Sequence, residues 1–157
     1  SSWRLWSFAA SFGIVSLAMI FTLSQPAKSL SEMALAHVYH EPKLLEQHTA
    51  LSPEQVKRKL KEIGYALPNL PNKVTSITLC GMGGEKTLHL VAEIEGKIVT
   101  LLVSHLAIDP KSLNQQNRFA DQRFSGAMRL QGEQNYIVIA ENSELVERFY
   151  QELGASA

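Results

Sequence analysis

The hydrophobic pattern divides the chain in two. Between Arg4 and Lys28 there is no charged residue, and the core of that stretch, Phe8 to Leu23, is almost entirely apolar. At about 1.5 Å of rise per residue, a helix over 5–27 would reach roughly 30 Å, the thickness of a hydrocarbon layer. Trp3 and Trp6 stand at one end, where indole rings favour the headgroup level. Pro26 ends the helix. The expectation is a single transmembrane anchor over residues 1–27. A cleaved secretory signal fits less well, because no small-x-small cleavage site follows the run. A buried soluble helix would need a polar face that the run lacks. The chain opens with Ser-Ser and not Met, so a further N-terminal part is expected across the membrane.

Residues 28–157 read as an α+β domain, with 28–50 as a juxtamembrane helical region. Ser29 and Glu32 have capping-box spacing and open a helix over 30–46, which Pro42 should kink near Glu41. Ser52-Pro53-Glu54-Gln55 is a stronger start signal; Val56, Leu60 and Ile63 give the apolar stripe and Gly64 the stop. From Val74 the period changes to two. Strands are predicted over 74–80, 86–94, 97–104, 127–131 and 135–140, with Gly81-Met82-Gly83-Gly84 as a turn and Glu95-Gly96 as a hairpin. In the second strand Leu88, Leu90, Ala92 and Ile94 face one way, and His89, Val91 and Glu93 the other. The polar stretch 106–126 reads as a long exposed loop, of the kind that is either functional or mobile. A last helix over 144–153 is capped by Asn142 or Ser143 and stopped by Gly154. The predicted order is an anchor, two helices, an antiparallel sheet of about five strands and a C-terminal helix, with the helices grouped on one face.

Composition narrows the function. Lys plus Arg and Asp plus Glu number 15 each, so a strongly basic nucleic-acid binder is not the default. The one cysteine, Cys80, excludes an internal disulfide and a zinc site made mainly of thiolates. Arg118, Arg123 and Arg129 with Phe119 and Phe124 only faintly resemble a nucleic-acid surface and read as a solvated loop.

The densest polar cluster is His37-Val38-Tyr39-His40-Glu41. On a helix His37 lies three residues from His40 and four from Glu41, so the three can share a face. Two imidazoles and a carboxylate suit zinc or another divalent metal. His37, His40, Glu41 and His89 are the candidate ligands, with Cys80 a further one if the sheet packs under the helix. The plainer reading is a solvated helix face, a half-exposed His89 on its strand and a small buried thiol. The order is not His-Glu-x-x-His, the glycines lack a phosphate loop's Lys-Ser/Thr ending, and there is no Gly-x-Ser-x-Gly. No nucleophile, base and oxyanion donor assemble, so sensing or binding is expected over catalysis, with no cofactor beyond such a metal.

Ala34-Leu35-Ala36-His37-Val38-Tyr39-His40-Glu41 shortly after the predicted span, then Cys80, Leu88-His89-Leu90-Val91 and Val99-Thr100-Leu101-Leu102-Val103, resemble the bacterial family called domain of unknown function 3379. The likeness runs from the anchor to the strand Tyr136-Ile137-Val138-Ile139 and the last helix. It implies the plan of a membrane-anchored anti-sigma factor: a cytoplasmic N-terminal region, one span of the inner membrane and a periplasmic domain. It also implies the N-in orientation that Arg4 against Lys28 leaves tied. The resemblance implies a sigma factor held by the missing N-terminal region; the apolar run itself implies membrane lipid, a periplasmic protein or a protease acting near 24–31 is expected with them, and no nucleic acid is. The family carries over no catalytic residues. A periplasmic metal-binding protein and an envelope assembly factor using 106–126 are the alternatives.

Overall fold

Ser29 begins the first helix as the spacing predicts. In the computed structural model, which describes residues 29–45, 49–106 and 117–154, the Ser29 hydroxyl accepts from the Glu32 amide while the Glu32 carboxylate accepts from the Ser29 amide. Helix α1 runs Leu30–His40. It stops because Pro42 disfavours a helical conformation at Glu41, which sits at φ −119° and ψ 51° as the C-cap. A one-turn helix α2, Pro42–Leu45, follows. The kink expected near Glu41 is thus a full break, and Glu46, where the helix was expected to end, lies outside the described residues. Ser52 and Gln55 form a second capping box that opens α3, Pro53–Glu62.

Six strands follow, not about five: β1 Val74–Met82, β2 Glu85–Ile94, β3 Lys97–Ser104, β4 Arg118–Ala120, β5 Ser125–Gln131 and β6 Gln134–Ala140. They form one sheet in the order β1-β2-β3-β6-β5-β4, with every neighbouring pair antiparallel. The sheet is two three-stranded meanders joined along β3 and β6. The extra strand, β4, falls inside the stretch expected to be an exposed loop. Its three residues pair only with β5, where Phe119 lies against Gly126. The turn between β1 and β2 is also tighter than expected. Gly81 and Met82 stay in the strand, and Gly83 and Gly84 alone turn the chain, both with positive φ. Helix α4, Ser143–Leu153, begins at Asn142, whose side chain accepts from the Leu145 amide, and ends at left-handed Gly154.

The helices are not grouped on one face. Val56 and Leu60 of α3 and Leu145, Phe149 and Leu153 of α4 pack on the face carrying Leu88, Leu90, Leu101 and Val138. Ala34 and Val38 of α1 pack on the other, with Leu102, Ile137, Ile139 and the half-buried Cys80. That second layer is why β2 is buried on both sides, and it encloses His89, read from sequence as half-exposed, to 1% exposure. Among the described residues no helix is long and apolar enough to cross a membrane. The anchor expected over residues 1–27 lies outside them, as does much of the connection between β3 and β4.

Candidate metal-ligating site beneath helix α1

The alternation of β2 sets one corner of the site. His89 lies on the α1 side of the sheet, and antiparallel register places Thr78 beside it and Cys80 beside Thr87. Cross-strand partners share a face, so His89 and Cys80 project toward the same helix. That helix supplies the rest. His37 sits one turn before its end, and Glu41, released from the helix by Pro42, turns its carboxylate back beneath it.

Three atoms meet there. His37 Nε2 lies 3.3 Å from His89 Nδ1, His89 Nδ1 lies 3.0 Å from Glu41 Oε2, and His37 Nε2 lies 3.5 Å from the same oxygen. The imidazole rings cross edge to face, with centroids 5.1 Å apart. One ligand atom from each of His37, His89 and Cys80 lies within 4.8 Å of the others. Exposure is graded: the His89 side chain is fully enclosed, that of His37 is 11% exposed and that of Glu41 32%.

Burial favours the uncharged forms of His89 and Cys80. Burial, helped by neighbouring His37 and opposed by Glu41, lowers the His89 pKa below the ordinary imidazole value. Burial and the nearby Glu41 carboxylate push the Cys80 thiol up to about 11, and it donates to the Thr87 carbonyl at 3.4 Å. His89 Nε2 is buried with no hydrogen-bond partner among the described residues, as is Thr87 Oγ1.

Of the residues expected to form a metal set, the fold therefore brings together His37, Glu41 and His89. It leaves His40 exposed on α1, outside the group. His40 precedes the break, where the helix turns its side chain to solvent; Glu41 follows it and escapes that periodicity. Cys80 stands beside His37 and His89 instead. The sequence signal for it was the two-residue alternation that puts Cys80 and His89 on one face once the hairpin register is known.

A second tether holds α1. Tyr39 donates to Asp121 at 2.9 Å, and its ring meets that of Phe124 edge to face with centroids 5.2 Å apart. Asp121 also accepts from the Arg123 and Phe124 amides, contacts that lower its carboxyl pKa. The arginines of this region are engaged: Arg118 and Arg129 both bond to Glu147 of α4, at 2.8 and 2.7 Å. Arg129 lies over the Tyr150 ring and Arg123 over Phe124.

No curated protein and no solved structure matches the chain. The family described as "Protein of unknown function (DUF3379)" matches residues 1–156, and the chain belongs to that family.

Proposed function

We propose that residues 28–157 are the periplasmic sensory or interaction domain of a single-pass inner-membrane regulator of the anti-sigma type, and that the domain is not an enzyme. The observation that carries this reading is the position of α1. It is the first element after the expected span, and it is pinned at both ends of one sheet face, by Glu41 and His37 to β2 and by Tyr39 to the turn between β4 and β5. A ligand or partner that alters either tether alters how the helix nearest the membrane is held, which is what transmission through one span requires. Among the described residues the cluster's nucleophile, Cys80, hydrogen-bonds to the Thr87 carbonyl and not to a base.

The test is recovery of the native protein from membranes together with its upstream region. A sigma factor retained in stoichiometric amount, and released when α1 is undocked by Ala34→Glu, is the expected result. Release of the whole protein by carbonate washing overturns the reading. So does a stoichiometric envelope complex without any sigma factor, which would instead mark an assembly factor.

A further inference from the structure

Protons cannot make all three edges of the triangle His37 Nε2, His89 Nδ1 and Glu41 Oε2 into hydrogen bonds at once. With no proton, three lone pairs converge. With one, on either nitrogen, the other two corners still face each other as lone pairs. With a proton on each nitrogen, both can donate to the carboxylate, but the two N–H groups then oppose each other at 3.3 Å. An odd ring of donors and acceptors always leaves one like pair, which is costly where it falls between the enclosed His89 ring and its nearly buried neighbour His37.

A cation resolves it. Edges of 3.0, 3.3 and 3.5 Å place the point equidistant from the three atoms about 1.9 Å from each. An ion about 0.8 Å out of that plane then sits at about 2.0–2.1 Å, the Zn–N and Zn–O bond length, close to the offset of a tetrahedral centre from its own face. The fourth vertex needs a donor nearby, and Cys80 Sγ lies within 4.8 Å of one nitrogen of each ring. A tetrahedral N–S edge is about 3.6 Å, so the sulfur has to close on both rings and on the Glu41 carboxylate, which stands outside that three-residue group.

We propose that His37, Glu41, His89 and Cys80 bind one divalent ion of the zinc class, through two imidazoles, one carboxylate and one thiolate. Binding forms the metal–sulfur bond as the thiol proton leaves to solvent. Two borderline nitrogens with a thiolate select against magnesium and calcium, and the carboxylate selects against monovalent copper. The proposal deepens the sensory reading by naming what the domain detects, and its test reads binding alone, so its failure leaves that reading to its own experiment.

The full chain in detergent, stripped with chelator and kept reduced, is titrated with zinc and then cobalt. One equivalent of metal and a thiolate-to-cobalt charge-transfer band are expected. Cys80→Ser removes the band. His37→Gln and Glu41→Gln weaken zinc binding by about tenfold or more. His40→Gln leaves it unchanged. Because His89 is fully enclosed, the variants at His37, Glu41 and Cys80 carry the test, each checked for its fold by circular dichroism. No bound equivalent, a cobalt spectrum without the thiolate band, or equal weakening by His40→Gln and His37→Gln overturns the proposal.

Discussion

His89 Nδ1 lies 3.0 Å from Glu41 Oε2, and the two residues belong to elements on opposite sides of a packed layer. Neither group favours stability by itself: a fully enclosed imidazole with one unpartnered nitrogen costs desolvation, and the carboxylate offsets only part of it. Removing one partner and removing the buried polar group therefore have different consequences. In metal-free protein, Glu41→Ala should destabilise by about 1–2 kcal/mol, since it leaves His89 facing only another imidazole. His89→Leu should be neutral or stabilising, because it replaces an incompletely bonded polar group in an apolar layer. Urea unfolding of both variants checks this; a large loss from His89→Leu would mean that the ring's packing shape, not its polarity, matters there.

The same burial sets a pH dependence. The His89 pKa is lowered in the fold, chiefly by desolvation. Below the unfolded imidazole pKa, near 6.5, the unfolded chain takes up a proton that the native site refuses, so stability falls as pH falls. Above that value both states are neutral and the contribution is flat. The expected slope for one such group approaches about 1.4 kcal/mol per pH unit between the folded pKa and 6.5. Melting followed between pH 7.5 and 5 should show this component in the metal-free wild type. His89→Leu should lack it; an identical slope in the variant would assign the effect to other groups.

Much of the fold was legible from the chain because local signals and packing agreed. Both capping boxes, the Glu95-Gly96 hairpin with both residues at positive φ, and the alternation of β2 were readable in residue types alone. What was not legible depended on contacts between distant segments. The face of the sheet on which α1 lies is fixed by Leu102, Ile137 and Ile139 from two other strands. That choice turns His89 from a surface residue into a buried one. Glu41 and His40 were indistinguishable by helical spacing, and only the break before Pro42 separates them. Strand β4 carries no pattern of its own, having three residues in a polar stretch.

Strand β4 depends on a missing side chain. A Cβ at Gly126 would fall 2.3 Å from the Phe119 ring, so the ring has to shift. Gly126→Ala should cost about 1–3 kcal/mol, with loss of amide protection across Arg118–Ala120. In the double variant with Phe119→Ala the clash vanishes, so the two costs should be less than additive. Additive costs in that cycle would mean that Gly126 is required for its backbone and not for the room it leaves.

Cys80 reports on whether α1 is docked. Its thiol is half-buried between helix and sheet, and burial with the nearby carboxylate pushes its pKa up to about 11. At pH 8 only about one thiol in a thousand is then ionised, against about one in four for a free cysteine near 8.5. In metal-free protein, iodoacetamide should label Cys80 slowly at pH 8, with a rate that climbs roughly tenfold per pH unit up to about 11. Ala34 is fully buried under the same helix, and a carboxylate there cannot be accommodated without lifting α1 off the sheet. Ala34→Glu should therefore raise the labelling rate at pH 8 by about a hundredfold, toward that of an exposed thiol. The α3–α4 face should keep its protection against hydrogen exchange, because the two apolar layers lie on opposite sides of the sheet. Equal labelling of the wild type and the variant would mean that α1 does not shield the thiol in solution.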